Sequence, residues 1–267
     1  MEIVPTGGPL GARVEDVNLG ASLSAETVAM IRAALLQHLV LIFRDQSLTE
    51  EEQVRFTRYF GRPEEHVRKL PRRGLPEIFV VSNVTEDGEP VGALGNGELT
   101  FHSDLSYMEV PGALSIVHAI EVPEEGGDTQ WSNAYAAYDA MDDVLRKRVL
   151  GLCAIHRHGE EAQNPAVPVA HPVIRTHPDT GRRATYVSPQ FTRSLQGVSA
   201  RESESLLSAL LAHVTRPEFV WNHKWRAGDL VMWDNRCTMH RREPFSASQR
   251  RILKRTQIFG DPPVLQP

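Results

Sequence analysis

A histidine and an aspartate stand two residues apart in the segment 99–104, as His102 and Asp104. On a β-strand two such positions share one face, so an imidazole and a carboxylate could reach one metal ion. A third ligand must come from elsewhere in the chain, and the strongest candidate is His240. Two neutral imidazoles and one carboxylate form the facial triad of non-haem iron(II) oxygenases, which leaves coordination positions open. These residues predict a reactive iron(II) centre with room for a chelating cosubstrate and dioxygen.

Spacing alone does not select these ligands. The chain has 11 histidines and 34 acidic residues, so chance His-x-Asp pairs are expected. His156 and His158 form a competing His-x-His pair. Two more imidazoles, His171 and His177, each precede a proline in a turn-rich stretch. From single motifs, the choice of metal ligands stays open among these histidines.

The cosubstrate adds a second chemical requirement. 2-Oxoglutarate has two carboxylates: one chelates iron through the keto acid, and the other needs a cationic partner. Arginine suits this role because its planar fork binds a carboxylate at two points. Arg251, Leu253 and Arg255 lie in a strand-like run after His240 and share one face at strand periodicity. We therefore expect two guanidinium groups to point inward together, although the same pattern also occurs on solvated strand faces.

Composition limits the class of protein. The chain has 267 residues, 41% of them hydrophobic, which predicts a single catalytic domain over residues 1–267. Its net charge of -5 comes from interleaved acidic and basic residues, so no nucleic-acid partner is indicated. Cys153 and Cys237 predict buried thiols, not a zinc ribbon or a disulfide framework. Without a signal-peptide pattern or an apolar run of roughly 20 residues, we expect a cytoplasmic protein with no membrane partner.

The elements that must position these residues are mostly short strands. Helices are predicted after three capping signals, at Ser24, at Thr49 with Glu52, and at Ser199 with Glu202. A further helix is predicted over about 133–150. Strands are predicted at 40–43, 78–82, 114–120, 184–187, 219–225, 230–233 and 251–259. This mixture predicts an antiparallel β core flanked by helices, not alternating βαβ units.

Four separated motifs resemble, in order and spacing, the taurine dioxygenase / phenoxyacetate dioxygenase (TauD/TfdA-like) family of iron(II)- and 2-oxoglutarate-dependent dioxygenases. The motifs are FHSD at 101–104, EGGDT at 125–129, GDLVMWDNR at 228–236 followed by His240, and Arg250-Arg251 followed by Arg255. The resemblance covers most of the chain from about residue 40 to residue 262. Joint agreement of four motifs is far more specific than any one of them.

The resemblance implies a mainly β protein with flanking helices, folded as a double-stranded β-helix (a cupin-like jelly roll) with iron at one open end. His102, Asp104 and His240 align with the family's iron ligands. Thr129 and Arg251 align with the residues that hold the distal carboxylate of 2-oxoglutarate. The implied reaction hydroxylates a small organic substrate with release of succinate and carbon dioxide. Asp104 favours hydroxylation over halogenation, because related halogenases have a small residue there.

The resemblance also bears on the substrate and the assembly. Arg255 aligns with a residue that pairs with the anionic head of the substrate in the taurine enzyme, and His66 and His158 align with positions near the substrate. A sulfonate, sulfate ester or carboxylate is therefore expected. Lys69 and the segment 95–98 depart from the taurine enzyme, which argues against taurine itself. The family implies a homodimer or homotetramer.

Two other functions would use part of the same residue set. A zinc hydrolase accepts two histidines and a carboxylate and activates water, but it gives Thr129 and the arginine pair no role. A non-catalytic jelly-roll module could bind a small acid, but the retention of every ligand and both arginines argues against lost catalysis. Oxygen dependence and consumption of 2-oxoglutarate distinguish the three alternatives.

Overall fold

Two β-sheets packed face to face form the centre of the computed structural model, which describes residues 1–65 and 74–265. With strands numbered in chain order, the large sheet runs β1 (Glu2–Pro5), β2 (Ala12–Glu15), β3 (Val40–Phe43), β18 (Leu230–Asp234), β10 (Gly112–Glu121), β20 (Ile252–Phe259), β5 (Phe79–Ser82) and β8 (Ala93–Leu94), with β4 (Pro63–Glu64) beside β20. The small sheet runs β17 (Val220–His223), β11 (Thr129–Asn133), β19 (Thr238–Arg242) and β9 (Leu99–His102). The expected antiparallel β core is confirmed, with parallel pairing only at β2–β3 and β5–β8 among the strands of these two sheets.

The remaining strands form small sheets at the periphery. They are β6 (Thr85–Glu86), β7 (Glu89–Pro90), β12 (Cys153–His156), β13 (Val169–Pro172), β14 (Ile174–Thr176), β15 (Arg183–Thr185) and β16 (Thr192–Leu195). The helices are α1 (Ala25–His38), α2 (Glu50–Arg58), α3 (Ala134–Asp139), α4 (Asp143–Val149) and α5 (Ala200–Val214), with 3-10 turns at Glu161–Gln163 and Pro217–Phe219. No helix in these ranges is long and apolar enough to cross a membrane.

Strand alternation divides the core into layers. In β10, Ile116 packs with the cluster around α1 and α2, whereas its neighbour Val117 packs between the two sheets. In β19, Met239 packs with the cluster under α3, α4 and α5. The next residue, His240, therefore points to the space between the sheets, because successive side chains alternate. The sandwich thus places its inward-facing polar side chains in an otherwise apolar interior.

The helix starts follow the predicted caps. Ser24 accepts a hydrogen bond from the Thr27 backbone N–H, and Thr49 with Glu52 forms a full capping box. Ser199 accepts from the Glu202 N–H at the start of α5. Such caps satisfy backbone donors that would otherwise lack partners at a helix start. All three predicted starts are confirmed.

Several sequence-based boundaries are wrong, including the strand expected over 184–187, which is Arg183–Thr185, and two of the errors have a clear local cause. The single helix expected over 133–150 is two helices, because the Asp142 carboxylate accepts from the Val144 and Leu145 N–H groups and begins α4. The strand expected over 219–225 is shorter, because Pro217–Phe219 forms a 3-10 turn and β17 ends at His223. In both places a local cap or turn overrides the apolar pattern.

We expect Asp142→Ala to lower the free energy of unfolding by about 1 kcal/mol, because it removes the N-cap of α4. Urea denaturation monitored by circular dichroism would measure the change. Asp142→Asn keeps a capping oxygen and should stay within about 0.5 kcal/mol of the original chain. Equal unfolding midpoints for the two variants would contradict this role of the carboxylate.

Candidate active site

The three predicted metal ligands come together between the sheets. His102 ends β9 and is the antiparallel partner of His240 in β19, with ring centroids 4.2 Å apart. Asp104 does not lie on the same strand as His102, contrary to expectation, because β9 ends at His102. The turn that follows, in which Leu105 has φ +58°, brings the Asp104 carboxylate back towards His102. Asp104 Oδ1 then lies 3.8 Å from His102 Nε2. The ligand atoms of all three side chains lie within 4.8 Å of one another.

Both imidazoles are neutral, as metal coordination requires. His102 Nδ1 lies 2.8 Å from the Thr100 carbonyl oxygen, which places the proton on Nδ1 and leaves Nε2 for a metal. Burial lowers the pKa of His102, and burial together with nearby His102 lowers the pKa of His240 to about 3. His240 Nδ1 is buried without a hydrogen-bond partner in the described part of the chain. A divalent cation fits this donor set.

The carboxylate of Asp104 is held in its ionised form. Burial alone would raise its pKa, but the guanidinium of Arg255, with Nη1 3.2 Å from Oδ1, and further interactions hold the pKa well below its usual range. The Ser115 hydroxyl donates to Oδ2 at 2.7 Å. Two fixed donors therefore orient the carboxylate before any metal binds.

A network behind Asp104 was missed by the sequence analysis. Asn235 Nδ2 donates to Ser115 Oγ at 2.9 Å, and Asn235 Oδ1 accepts from the Asp104 N–H at 3.2 Å and from Trp233 Nε1 at 2.9 Å. The Gln257 amide also donates to Ser115 Oγ. Ser115 lies in the middle of β10 with no motif around it, so only the strand pairing reveals its role. Partners of this kind orient a metal ligand.

A second group of possible ligands, His177, Asp234 and Cys237, is already satisfied internally. Asp234 accepts two-point hydrogen bonds from Arg236 and a further one from His177 Nε2 at 3.0 Å. Arg236 also pairs with Asp179. Because both carboxylate oxygens of Asp234 accept hydrogen bonds, Asp234 stabilises the turn between β18 and β19 and thereby helps to position His240.

The other candidate histidines lie outside the triad. His156 is buried with Nδ1 3.1 Å from Ser106 Oγ, and burial with nearby His171 lowers its pKa to about 3. His171 Nε2 contacts the Met108 carbonyl oxygen at 3.0 Å. His158 instead lines a large cavity in front of the triad. His66 and Lys69 lie outside the described residues.

The large cavity has a volume of about 530 Å³ and reaches His102, Asp104 and Arg255 at its inner end. Its wall includes an aromatic cluster in which the Tyr107 ring lies 5.1 Å from His158 and 5.0 Å from Phe191, measured between centroids. Arg193 and Glu160 also line the cavity. The cavity has room for an apolar, ring-sized body, and Arg255 supplies a cationic group beside it.

A second, narrow cavity of about 60 Å³ is lined by His102 and His240. Thr129, Arg251 and Arg255 line it, so the structure brings the two predicted arginines to one cavity. Thr129 Oγ1 accepts a hydrogen bond from Trp225 Nε1 at 2.9 Å. Its own hydroxyl proton is therefore available to an acceptor in the cavity.

A third arginine, Arg242, lines the narrow cavity and was missed by the sequence analysis. Burial lowers the pKa of Arg242 to about 10. Burial and the nearby Arg242 lower that of Arg251 to about 9. Both guanidiniums are charged at neutral pH, so the cavity is a site for an anion. Strand periodicity from His240 could have identified Arg242, since positions 240 and 242 share a face.

A jelly roll with two histidines and one carboxylate beside an arginine-lined cavity is the architecture of a 2-oxoglutarate-dependent non-haem iron dioxygenase. The chain matches the family described as "Taurine catabolism dioxygenase TauD, TfdA family" over residues 2–257. It is 35% identical to an alpha-ketoglutarate-dependent 2,4-dichlorophenoxyacetate dioxygenase of Cupriavidus pinatubonensis, with 94% of each chain covered. It is 32% identical to an alpha-ketoglutarate-dependent sulfate ester dioxygenase of Pseudomonas putida, covering 99% of this chain and 91% of that one.

Solved structures agree with the sequence relatives. A taurine dioxygenase from Burkholderia xenovorans superposes with a TM-score of 0.85 at 39% identity, covering 98% of this chain and 92% of that one. AAD-2 in complex with Mn(II) and N-oxalylglycine gives a TM-score of 0.84 at 31% identity, with 98% and 99% covered. The chain belongs to the TauD/TfdA family, whose members are iron(II)- and 2-oxoglutarate-dependent dioxygenases. The expected fold class and cofactors are confirmed.

We expect Ser115→Ala to weaken iron(II) binding by about 10-fold or more, because Asp104 loses a fixed donor. Anaerobic titration of the metal-free protein with iron(II) in competition with a chelator would measure the affinity. Ser132→Ala is the matched control, since the buried Ser132 hydroxyl donates to the Val214 carbonyl away from the triad. An unchanged affinity in Ser115→Ala would contradict the assigned role.

Proposed function

We propose that this chain hydroxylates a small anionic organic molecule in the large cavity, with iron(II) held by His102, Asp104 and His240 and 2-oxoglutarate in the narrow cavity. The observation that carries the proposal is the meeting of the two cavities at the triad. His102 and Arg255 line both of them. A substrate and a cosubstrate could therefore approach the same metal ion from different sides.

Iron(II), when bound, couples the oxidative decarboxylation of 2-oxoglutarate to hydroxylation of a substrate carbon, with succinate and carbon dioxide as coproducts. The chain's own groups bind, orient and exclude water. Thr129 and Arg251 are placed to hold the distal carboxylate, by a hydroxyl donor and a charged fork. Asp104 supplies the carboxylate ligand, which supports hydroxylation over halogenation.

The substrate we propose is an anion with an apolar body. Arg255 supplies a buried positive charge at the inner end of the large cavity, and its side chain is also held by Asp104 and by the Phe79 ring, 4.8 Å from the guanidinium carbon. Tyr107, His158 and Phe191 supply an aromatic wall farther out. Such a pocket fixes a ligand by one charged contact and gains affinity from ring contacts.

The similar proteins support this substrate class. Several of them are named for 2,4-dichlorophenoxyacetate, a sulfate ester or (S)-phenoxypropionate. Each of these molecules pairs an anionic group with an organic body. We therefore propose a carboxylate or sulfate ester with an aryl or alkyl body, with a sulfonate as the further candidate. Taurine, which has no apolar ring-sized part, fits the aromatic wall poorly.

The two alternative functions are not supported. The family is one of dioxygenases, and its relatives are named for their dependence on alpha-ketoglutarate. A zinc hydrolase would leave the buried charges of Arg251 and Arg242 without a ligand. A binding module without catalysis would not need the ionised, oriented Asp104 beside two neutral imidazoles.

We propose further that the chain acts as one domain over residues 1–267, as a homodimer or homotetramer in the cytoplasm, and needs only small-molecule partners. The family match over residues 2–257 supports the single domain. Light scattering coupled to size-exclusion chromatography would test the assembly. A monomeric mass would contradict it.

Replacing a metal ligand should abolish the reaction. We expect Asp104→Ala and His240→Ala to reduce substrate-dependent succinate formation to background, because fewer ligands remain to hold the metal. The measurement is oxygen-dependent succinate release with a panel of aryloxycarboxylates, sulfate esters and sulfonates. His38→Ala, at the end of α1, is the histidine control and should retain activity. Retained activity in both triad variants would contradict the assignment.

The aromatic wall should determine substrate choice. We expect Phe191→Ala to lower kcat/KM for an aryl-bearing anion by about 10-fold, because ring contacts in the pocket are lost, and to affect a short alkyl anion less. Steady-state kinetics with the two substrates would measure the ratio, and Phe191→Leu should show a smaller change. An equal loss for both substrates would show that Phe191 does not contact the substrate body.

A further inference from the structure

Arg242 occupies a defined place relative to the predicted cosubstrate residues. It follows His240 by two residues in β19, so both side chains point to the space between the sheets. Its antiparallel partner in β11 is Thr129. Side chains at such paired positions are close neighbours on one sheet face. Arg242 therefore stands beside the hydroxyl that is placed to hold a carboxylate.

Only some of the hydrogen-bond donors of Arg242 have an acceptor. Nη2 donates to the Leu94 carbonyl oxygen at 2.9 Å and also to the Gly97 carbonyl oxygen. Nε and Nη1 are buried and have no partner among residues 1–65 and 74–265. Within these ranges no carboxylate forms an ion pair with Arg242. A buried guanidinium that is 4% exposed and unpaired is costly, which indicates an anion from outside the chain.

Arg251 is in the same situation in the same cavity. Its Nε is buried without a partner in the described ranges, and its Nη2 makes only a long contact of 3.4 Å to the Gly127 carbonyl oxygen. The guanidinium carbons of Arg242 and Arg251 lie 5.5 and 5.9 Å from the Phe245 ring. Two like charges near one ring repel each other, and an anion bound between them would offset this repulsion.

We propose that Arg242 is a second guanidinium that binds the distal carboxylate of 2-oxoglutarate, together with Arg251 and Thr129. The inference rests on the proposed use of the narrow cavity by this cosubstrate. Arg242 lines the narrow cavity and not the large one, so its ligand is the cosubstrate and not the substrate. The two carbonyl contacts of Nη2 hold the Arg242 side chain in position, so this side chain loses little conformational entropy when the ligand binds.

A purely structural role for Arg242 predicts a different result from carboxylate binding. If it served only to anchor the segment that carries Leu94 and Gly97, its removal would affect every ligand of the site alike. If it binds the distal carboxylate, its removal affects only ligands that have one. 2-Oxovalerate has the same keto acid and chain length as 2-oxoglutarate but ends in a methyl group. Comparing the two acids therefore separates the roles.

The test is anaerobic calorimetry of iron(II)-loaded protein with 2-oxoglutarate and with 2-oxovalerate. We expect Arg242→Met to raise the Kd for 2-oxoglutarate by about 10- to 100-fold, the effect of losing a charge-assisted contact, and to leave the Kd for 2-oxovalerate within about 2-fold. Arg241→Met is the matched control, since Arg241 points away from the cavity and pairs with Gln130 and Glu98. It should leave both constants unchanged.

Other outcomes overturn the inference. An unchanged Kd for 2-oxoglutarate in Arg242→Met, or an equal loss for both acids, contradicts a contact with the distal carboxylate while leaving the proposed function intact. If the original chain fails to bind 2-oxoglutarate, the proposed function fails first. Circular dichroism checks that Arg242→Met is folded. If it is not, Arg242→Lys, which keeps the charge but loses the fork, should weaken 2-oxoglutarate alone by several-fold.

Discussion

Three arginine side chains, Arg242, Arg251 and Arg255, are buried beside the narrow cavity between the two sheets. Arg255 forms an ion pair with Asp104, whereas Arg242 and Arg251 have no acidic partner within the described ranges. An unpaired buried ion costs several kcal/mol even after the protein relaxes. An anionic ligand in the narrow cavity, such as the 2-oxoglutarate proposed above, would offset this cost. Arg255 keeps Asp104 ionised, whereas burial is the main reason that the pKa values of the two imidazoles are lowered.

The β-sandwich makes this arrangement rigid. The pairing of His102 with His240 is set by the register of β9 and β19, and the pairing of Thr129 with Arg242 by that of β11 and β19. Across the interior, Arg255 in β20 and Arg251, the residue before β20, reach the same space from the large sheet. A one-residue slip in any of these strands would turn a functional side chain out of the site. Apolar packing between the sheets, centred on Trp131 and Trp233, opposes such slips.

The sequence was sufficient for the parts of the site that depend on short motifs or strand periodicity. Spacing left the metal ligands open, and His102, Asp104 and His240 were assigned only when the four motifs were considered together. Strand periodicity put Arg251 and Arg255 on one face, and the helix starts followed from local caps. Ser115 and Arg242 were not predicted. Ser115 acts through Asn235 and Asp104, 120 and 11 residues away, and such partnerships depend on the register of distant strands. Arg242 had a local signal, since its two-residue spacing from His240 puts Arg242 and not Arg241 on the inward face, but this spacing was not used.

The central claim is that the triad and the narrow cavity form one site for a metal ion and 2-oxoglutarate. A crystal structure of the chain with Mn(II) and N-oxalylglycine, an analogue that keeps both carboxylates, tests it most directly. The account predicts the metal bound by His102, Asp104 and His240, with the distal carboxylate of the analogue at Thr129 and Arg251. A metal held by other residues, or an analogue bound away from the narrow cavity, would contradict it.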